Sequence, residues 1–280
     1  MGKSTLLNSI LGEKISIVTP RPQTTRKKII GIKTTQDSQI VFIDTPGIHK
    51  PRHTLGEFMV REAKEALKDV DLVLLMVEPR QPGIADRLII DLLRETAKRC
   101  PVMLLINKVD LVKKAELLPV IEEYQKLFPF EEIFPVSALN ADDMELLLDG
   151  ITERLPAGPK YYPDDILTDQ YERFVVSEII REKAMTATEE EVPHSVAVEI
   201  IQWTEREDGL LFLDANIYVE REGQKGIIIG KGGKKLKEIG SSARADIEKF
   251  LDRKVFMKLW VKVKEDWRSD KRALKDLGFQ

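Results

Sequence analysis

Residues 102–110 read VMLLINKVD and carry the two signals that decide the fold. The first five residues are apolar without interruption, which is typical of a parallel strand that is buried on both faces. Polar residues follow at once, with Asn107, Lys108 and Asp110 at the carboxyl end of that strand. Because open α/β sheets bind their ligands at the carboxyl edge, the stretch predicts such a sheet with a binding site there.

Strand-like and helix-like runs alternate over the first half of the chain, from residue 27 to residue 155. This alternation predicts parallel strands joined by crossover helices. We therefore expect residues 1–155 to form a mostly parallel, doubly wound α/β domain. Strands are predicted at 27–34, 40–45, 71–78, 102–108 and 133–136, the first two as a hairpin, and helices at 85–98, 114–127 and 142–155.

A proline-rich stretch divides the chain. Residues 156–163 hold three prolines and one glycine, so no helix continues through them, and we place a linker at 156–167. The order beyond it is helix, strand, strand, helix, helix and strand, which predicts an α+β domain over 168–280. Its helices are predicted at 169–181 and 234–251, with one more before the second, and its strands at 195–205, 211–221 and 254–263.

Charge and cysteine content indicate the kind of partner and the cellular compartment of the protein. The 280 residues carry a net charge of −3, yet residues 221–280 hold 17 basic and 9 acidic side chains. Such a basic end indicates contact with nucleic acid or another acidic surface. The single cysteine, Cys100, cannot form an internal disulfide, so we expect the protein to reside in a reducing cytoplasm. No apolar run approaches the ~18 residues of a membrane span, and the three histidines lack metal-ligand spacing.

The N-terminal residues Gly2, Lys3, Ser4 and Thr5 open directly into an amphipathic run. They match the second half of a phosphate loop, in which backbone N–H groups and a lysine hold phosphates at a helix N-terminus. An ordinary helix start is the alternative for these residues taken alone. The first glycine of the pattern and the strand before it would precede Met1. We expect a start assigned too far downstream, since a chain truncated there would be poorly stable.

The tetrapeptide Asp44-Thr45-Pro46-Gly47 ends a predicted strand and supplies a second phosphate-side signal. Asp44 can hold Mg²⁺ through water, beside the hydroxyl of Ser4, and the Gly47 N–H can meet a terminal phosphate. A plain strand followed by a Pro-Gly turn is the alternative for the tetrapeptide alone.

The polar segment 22–26, PQTTR, lies between these two signals and is of the kind that closes over Mg²⁺ and the γ-phosphate. Thr24 or Thr25 would supply a hydroxyl to the metal, and the spacing does not decide between them. A disordered basic loop is a compatible alternative, because such a segment orders only when triphosphate is bound.

Residues that follow two later strands predict selectivity for guanine. Asp110 can accept hydrogen bonds from the guanine N1–H and N2 amino groups together, whereas adenine presents an acceptor that repels the carboxylate. Asn107 can fasten the loops around the base, Lys108 can lay its stem along the ring, and Ser137-Ala138 can offer a backbone N–H to guanine O6. Each fragment alone suits a turn or a helix cap. Their joint order predicts a GTP/GDP site.

The sequence assigns no catalytic residue for hydrolysis. Ile48 follows Gly47, where Ras-like enzymes carry a glutamine that orients the attacking water. A hydrocarbon side chain cannot orient water, so we expect slow hydrolysis that borrows a group from a bound cation or a partner. His49 lies nearby, but a surface role is the simpler interpretation.

The C-terminal half holds the signature Ile-Gly-x-x-Gly of a KH domain within residues 226–236, GIIIGKGGKKL. Its glycines let the protein backbone approach a nucleic-acid backbone, while lysines and a helix N-terminus attract phosphates. A glycine-rich turn between helices is the alternative. The predicted RNA-binding residues are Ile229, Gly230, Lys231, Gly232, Gly233, Lys234 and Lys235.

Two further sets of residues lie in this half. Lys254, Lys258, Lys262 and Lys264 can share one face of a strand and extend the phosphate-binding surface, with a merely solvated face as the alternative. The three tryptophans, Trp203, Trp260 and Trp267, are expected to pack in or at the edge of the core rather than to stack on bases.

A GTP-binding domain, a proline-rich linker and a type II KH domain in this order resemble the Era GTPases over essentially the whole chain. Residues 158–164, GPKYYPD, and the run from 168 to 183 look like the family's linker and first KH helix. The resemblance implies a P-loop NTPase fold, a Ras-like G domain whose first strand is missing here, joined to an α+β KH domain. The hydrophobic Ile48 also matches the family.

The resemblance implies a GTPase that binds Mg²⁺ and the 3′ end of small-subunit (16S) ribosomal RNA and assists small-subunit maturation. It also implies a cytoplasmic protein with peripheral association with the inner face of the cell membrane, and we expect a monomer by default. Some members use K⁺ held by a phosphate-loop asparagine, which would precede Met1. A non-hydrolysing RNA-binding assembly factor is the alternative function. We expect GTP and Mg²⁺ to order residues 20–28 and 44–52 and thereby to control RNA binding.

Overall fold

A computed structural model describes residues 1–96, 100–141 and 143–279, which form two compact units. The first unit contains Met1–Ser16, Lys27–His49 and Val60–Asp169, and the second contains Ile17–Arg26, Lys50–Met59 and Gln170–Gln280. The predicted linker at 156–167 therefore falls in the first unit, and two short N-terminal segments fall in the second. The domain bounds 1–155, 156–167 and 168–280 stay predictions.

The first half of the chain contains five helices and five strands within the described residues. They are α1 (Lys3–Leu11), β1 (Ile29–Thr34), β2 (Gln39–Asp44), α2 (Thr54–Glu65), β3 (Val73–Val77), α3 (Ile84–Thr96), β4 (Val102–Asn107), α4 (Lys114–Leu127), β5 (Glu132–Val136) and α5 (Met144–Thr152). Strands β1 and β2 form an antiparallel hairpin, and β3, β4 and β5 are parallel with β4 in the centre. The predicted helix end at 97–98 and the predicted helix start at Asp142 lie outside the described residues.

Strand β4 is buried on both faces, as its apolar run predicts. Met103 and Leu105 share one apolar cluster with Leu147 of α5, while Leu104 shares another with Leu93 of α3. Side chains alternate between the two faces of a strand, so helices cover both sides of the sheet. This arrangement confirms the doubly wound fold.

The strands of the first unit form two hydrogen-bonded groups within the described residues, the hairpin and the three-stranded sheet. The sequence instead predicts one mostly parallel sheet. Among the residues that the structure describes, β1 pairs with β2, and β3, β4 and β5 pair with one another.

The proline-rich linker is fixed along the hairpin of the first unit. Gln39 accepts hydrogen bonds from the backbone N–H groups of Tyr161 and Tyr162, at 2.8 and 2.9 Å. The Thr168 hydroxyl donates to the Ile30 carbonyl at 2.6 Å. These hydrogen bonds hold the linker in a defined position on the hairpin.

The second unit is an α+β domain that contains the six predicted elements in order, together with two short helices, Val192–Ser195 and Lys271–Asp276, that the sequence did not predict. Its elements are α6 (Glu172–Thr186), α7 (Val192–Ser195), β6 (Ala197–Glu205), β7 (Leu211–Val219), α8 (Glu222–Ile229), α9 (Lys234–Leu251), β8 (Val255–Val263) and α10 (Lys271–Asp276). Strand β7 pairs antiparallel with β6 and parallel with β8. Ile180 of α6, Ile228 of α8 and Ile247 of α9 share one core with Leu213 and Ile217 of β7, so these helices cover one face of the sheet.

Gly31 of the hairpin is packed so closely that it excludes a side chain. A Cβ atom there would lie 2.6 Å from a methyl carbon of Leu7 and 2.7 Å from one of Leu11. We predict that Gly31→Val destabilises the first unit by about 1–3 kcal/mol, because overpacking forces α1 away from the hairpin. Urea unfolding followed by circular dichroism measures this as a lower midpoint.

Gly158→Val is the matched control, because no atom lies within 4 Å of the corresponding Cβ position. It should leave the midpoint unchanged. Equal midpoints for the two variants would contradict the packing account.

Candidate functional site

Three polar residues stand at the carboxyl ends of strands in the first unit. Asp44 ends β2, Asn107 ends β4 and Ser137 follows β5. They are only 6%, 3% and 1% exposed, respectively. A buried polar group is retained where it is hydrogen-bonded, so the partners of these residues indicate what this edge does.

The phosphate side begins at the N-terminus of α1. Gly2 has φ +98°, a left-handed conformation that favours glycine, and the helix starts at Lys3. Within the part of the chain that the structure describes, no side chain caps this helix end. The first turn, which contains the predicted residues Ser4 and Thr5, therefore presents the positive end of the helix dipole to an anion.

The Ser4 hydroxyl and the Asp44 carboxylate meet where the sequence predicts Mg²⁺. Ser4 Oγ donates to Asp44 Oδ2 at 2.7 Å, and Ser16 Oγ donates to the same oxygen at 2.9 Å. Hydroxyl and carboxylate oxygens are ligands that Mg²⁺ accepts, and it keeps phosphate and water as the others. Residues 1–96, 100–141 and 143–279 contain no cluster of three or more acidic, His or Cys side chains that could hold a metal alone. The donor set fits a nucleotide-bound Mg²⁺.

Ser16 is a site residue that the sequence did not reveal. Asn8 shapes its loop, since Asn8 Oδ1 accepts from the N–H groups of Ile15 and Ser16 at 3.0 and 2.9 Å. Asn8 Nδ2 donates in turn to the Ser16 carbonyl at 2.7 Å. A lone serine after a helix has no local pattern, and only the fold shows that it faces Asp44.

The Asn107 side chain hydrogen-bonds two separate segments at the edge of the sheet, one at Ala138 and one at Met1. Its Oδ1 accepts from the Ala138 N–H at 2.9 Å, and its Nδ2 donates to the Met1 carbonyl at 2.7 Å. The Ala138 N–H is thereby engaged within the protein. The expectation that Ser137-Ala138 offers a backbone N–H to guanine O6 stays a prediction.

Asp110 is exposed and held in position by one buried hydroxyl. Ser137 Oγ donates to Asp110 Oδ1 at 2.6 Å. The carboxylate therefore stands at the edge in a fixed orientation, which suits a bidentate contact with two adjacent donors. Ser137 positions this carboxylate, a role that the sequence did not indicate.

Lys108 adopts φ +66°, a conformation uncommon for residues other than glycine. Its Nζ donates to Glu78 Oε1 at 2.5 Å, and this hydrogen bond lowers the pKa of Glu78. Glu78 follows β3 at the same edge of the sheet, so it fixes the lysine whose stem is predicted to lie along the base. The sequence signal for Glu78 was its place at the end of the predicted strand 71–78.

Thr24 and Thr25 lie in the second unit, in the segment Ile17–Arg26, whereas Ser4 and Asp44 lie in the first. The Thr24 hydroxyl is engaged by its own segment, with Thr19 Oγ1 at 2.7 Å and the Arg21 carbonyl at 2.8 Å. Whether Thr24 or Thr25 contacts the metal stays a prediction.

Buried charged side chains anchor this segment inside the second unit. Arg26 donates to the carbonyls of Val196 and His194 at 2.6 and 2.9 Å and lies over the Trp267 ring, and burial lowers its pKa. Arg181 pairs with Glu178 and donates to the Thr24 carbonyl at 2.6 Å. The segment predicted to sense GTP is therefore packed on the α+β domain, which the sequence did not predict.

The loop after Asp44 contains Thr45, the buried Pro46 and Gly47. His49 Nδ1 lies 2.9 Å from the Gly47 carbonyl. The imidazole is therefore bonded to its own loop, which agrees with a local role rather than with a catalytic base.

The predicted RNA loop joins α8 to α9 and has an unusual backbone. Gly230, Gly232 and Gly233 have φ of +71°, +60° and +76°. A Cβ on Gly230 would lie 2.7 Å from the Cβ of Lys235, so the loop can form only with glycine there. Lys231 is exposed at the tip, and α9 begins at Lys234. Ile229 ends α8 and packs against the core.

A groove of about 340 Å³ adjoins this loop along α9 and β8. Its lining combines cationic and apolar groups. The residues are Gly233, Leu236, Lys237, Gly240, Ser241, Arg244, Met257 and Leu259. Such a groove offers both phosphate contacts and an apolar wall for unstacked bases.

Comparisons with known proteins cover both units. The profile described as "KH domain" matches residues 191–268, and the profile described as "50S ribosome-binding GTPase" matches residues 1–108. GTPase Era of Clostridium botulinum (strain Hall) is 51% identical over 281 residues, which cover 100% of this chain and 94% of that protein. GTPase Era of Clostridium beijerinckii is 50% identical over the same span.

Solved structures give the same result. Era in complex with MgGDPNP and nucleotides 1506–1542 of 16S ribosomal RNA superposes with a TM-score of 0.95 at 40% identity, covering 99% of this chain and 94% of that chain. A variant of Aquifex aeolicus Era bound to GDP·AlF4⁻ gives a TM-score of 0.94 at 40% identity, covering 99% and 95%. The chain therefore belongs to the Era family of GTPases.

Proposed function

We propose that this chain binds GTP with Mg²⁺, hydrolyses it to GDP and phosphate, binds the 3′ end of 16S ribosomal RNA and assists maturation of the small ribosomal subunit. The observation that carries the nucleotide part is the exposed Asp110 carboxylate, which Ser137 fixes at the carboxyl edge of the sheet. A family relative was solved with a GTP analogue and the 3′ region of this RNA together.

The phosphates would lie at the start of α1, with Mg²⁺ at Ser4 and Asp44. Bound Mg²⁺ supplies charge neutralisation for the phosphates. Thr24 or Thr25 would supply the further hydroxyl that the sequence predicts for the metal.

Hydrolysis distinguishes this proposal from a non-hydrolysing assembly factor. The loop carries Ile48 in place of a water-orienting glutamine, and His49 is bonded to Gly47. Turnover should therefore be slow and should respond to K⁺ or RNA. Phosphate release from GTP would be measured with and without K⁺ and with and without RNA. Release no faster than from GTP in buffer alone would favour a non-hydrolysing assembly factor.

The RNA part is supported by the glycine loop and its groove. Sedimentation with isolated ribosomal subunits tests the partner, and we expect binding to the small subunit in preference to the large one.

Peripheral association with the inner face of the cell membrane belongs to the same proposal. In the described part of the chain, no helix is long and apolar enough to cross a bilayer.

We predict that Asp110→Asn lowers GTP affinity by about tenfold to a hundredfold, because the amide cannot accept two hydrogen bonds from guanine. The ratio of GTP to ATP affinity should fall with it, while affinity for xanthosine triphosphate should rise, since an amide N–H can donate to the xanthine carbonyl. Equilibrium titration of the three nucleotides with Mg²⁺ and K⁺ measures all of these.

Asp37→Asn is the matched control, because Asp37 is exposed in the hairpin turn of the same unit. It should leave all three affinities unchanged. An unaltered preference for GTP over ATP in Asp110→Asn would place the base elsewhere.

We predict that Lys231→Ala weakens RNA binding about three- to tenfold and lowers the slope of log K against log salt by about 0.7, since one phosphate contact to a single strand is lost. Base preference should not change. Fluorescence anisotropy with a single-stranded RNA of the 16S 3′ sequence, at several salt concentrations, measures both effects.

The control is Lys114→Ala, which removes an exposed lysine from α4 of the first unit. It should change neither quantity. If the salt slope of Lys231→Ala equals that of the unmodified chain, the loop does not contact phosphate.

A further inference from the structure

The sheet of the second unit has a second face, opposite the helices α6, α8 and α9. Inner-face residues such as Leu213 and Val261 belong to the helix-covered core. Because side chains alternate along a strand, the residues between them point outward. We call this the outer sheet face; on β7 and β8 it consists of Phe212, Asp214, Asn216, Tyr218, Phe256, Lys258, Trp260 and Lys262.

One end of the outer sheet face is covered and the other is open. At the covered end, Tyr218 packs against a cluster that includes Leu55, Trp267 and Leu274. At the open end, Phe256 is 47% exposed and Trp260 is 55% exposed. Of the three tryptophans expected in or at the edge of the core, Trp267 is fully buried and Trp203 packs against the core, whereas Trp260 is largely exposed.

The open end carries aromatic rings in an ordered arrangement. Phe212 and Phe256 are stacked with ring centroids 5.6 Å apart and planes 18° from parallel. Trp260 lies four residues beyond Phe256 on the same strand face, about 13 Å away at the usual rise of a strand. Two separate aromatic platforms therefore follow the line of β8.

Cations stand between and beside these platforms. The Lys258 ammonium lies 5.4 Å from the centroid of Phe212, and Lys262 is exposed one strand repeat beyond Trp260. The acidic residue in this part of the face, Asp214, is opposite Lys258 in the β7–β8 register. Alternating rings and ammonium groups complement the alternating bases and phosphates of a single nucleic-acid strand.

Strand β8 connects this surface to the groove beside the glycine loop. Met257 and Leu259 line the groove from the inner face of β8, while Phe256 and Trp260 occupy its outer face. A KH loop clamps about four nucleotides. An RNA strand that continues beyond the groove over the edge of β8 would reach the open end of the outer sheet face.

We infer that the open end of the outer sheet face is a second binding surface for single-stranded RNA, continuous with the KH groove. Bases stack on Phe256 and Trp260, and phosphates contact Lys258 and the exposed Lys262, which pairs with Tyr218 where the covered end begins. The inference rests on the proposed RNA-binding function and extends it from the groove to a longer strand. Stacking tolerates any base, so this surface adds affinity and length dependence rather than sequence preference.

The test compares two single-stranded RNAs of the 16S 3′ sequence, of about four and about twelve nucleotides, on the full chain. Phe256→Ala and Trp260→Ala should each lower affinity for the longer RNA at least about fivefold, and the double variant more, because each removes a stacking platform. Affinity for the shorter RNA and for GTP should stay within about twofold. Trp260→Phe, which keeps a ring, should retain most of the affinity for the longer RNA, and Leu118→Ala, at an exposed position in the first unit, should retain all of it.

The outcomes separate this inference from the proposed function. Failure of the unmodified chain to bind either RNA would overturn the proposed function itself. Unmodified affinity for the longer RNA in the double variant would overturn only the outer-face site, and if small-subunit binding then fell, the surface would be assigned to a protein partner. Equal losses of affinity for the longer and the shorter RNA in the variants would also overturn the outer-face site.

Fluorescence of the unmutated surface provides a second measurement that does not depend on the variants folding. Trp260 is exposed and Trp267 is buried, so stacking of RNA should quench the exposed component of tryptophan emission. The longer RNA should quench this exposed component and the shorter RNA should not. The same result is expected for the variant Trp203→Phe. Equal quenching by both RNAs would contradict the inference.

Discussion

The nucleotide side of this protein depends on the burial of β4. A strand covered by helices on both faces must be apolar along its length, so its first polar side chain, Asn107, comes where the strand leaves the core. Because Asn107 is itself buried, its amide has to be satisfied, and leaving such a group without partners costs about 1–3 kcal/mol. Its bonds to Ala138 and to the Met1 carbonyl meet this requirement and bring the phosphate and base loops together.

The same constraint explains why the edge can select a base. Asp110 is exposed, and an exposed carboxylate alone is mobile and poorly selective. Ser137 is buried at the end of the neighbouring strand and holds one Asp110 oxygen at 2.6 Å, while Glu78 holds Lys108. Rigid strands thus position polar residues, and these residues in turn fix Asp110 and Lys108, the side chains predicted to contact the base. The predicted RNA site is built differently, from a loop whose glycines Gly230, Gly232 and Gly233 have positive φ.

Part of the first segment predicted to respond to GTP, residues 20–26, belongs to the unit that carries the RNA loop. Residues Ile17–Arg26 are anchored there through Arg26 and through the bond of Arg181 to the Thr24 carbonyl. If GTP orders this segment, as the sequence predicts, the change would act on contacts within the KH unit. Thermodynamic linkage requires the reverse as well, so RNA binding that alters these contacts changes nucleotide affinity by the same factor.

Much of this could be predicted from the sequence, because apolar runs mark strands and short motifs mark their ends. The hairpin, β3 to β5, α4, and the glycine loop lie within a few residues of the predicted bounds. Roles that depend on distant pairs could not be predicted. Ser16 meets Asp44 across 28 positions, and Arg26 meets Val196 across 170, with no local pattern in either case. The exposure of Trp260 depends on which part of the sheet the C-terminal segment covers, which alternation along β8 does not reveal.

The central claim is that guanine nucleotide binds at the carboxyl edge of β2, β4 and β5, and hydrogen exchange tests it most directly. Exchange of backbone amides would be followed by mass spectrometry with Mg²⁺ alone, with GTP and with ATP at matched concentrations. The account predicts slower exchange with GTP, and not with ATP, in residues 2–5, 44–47, 107–110 and 137–139. Equal protection by ATP, or protection that lies only outside these four segments, would contradict it.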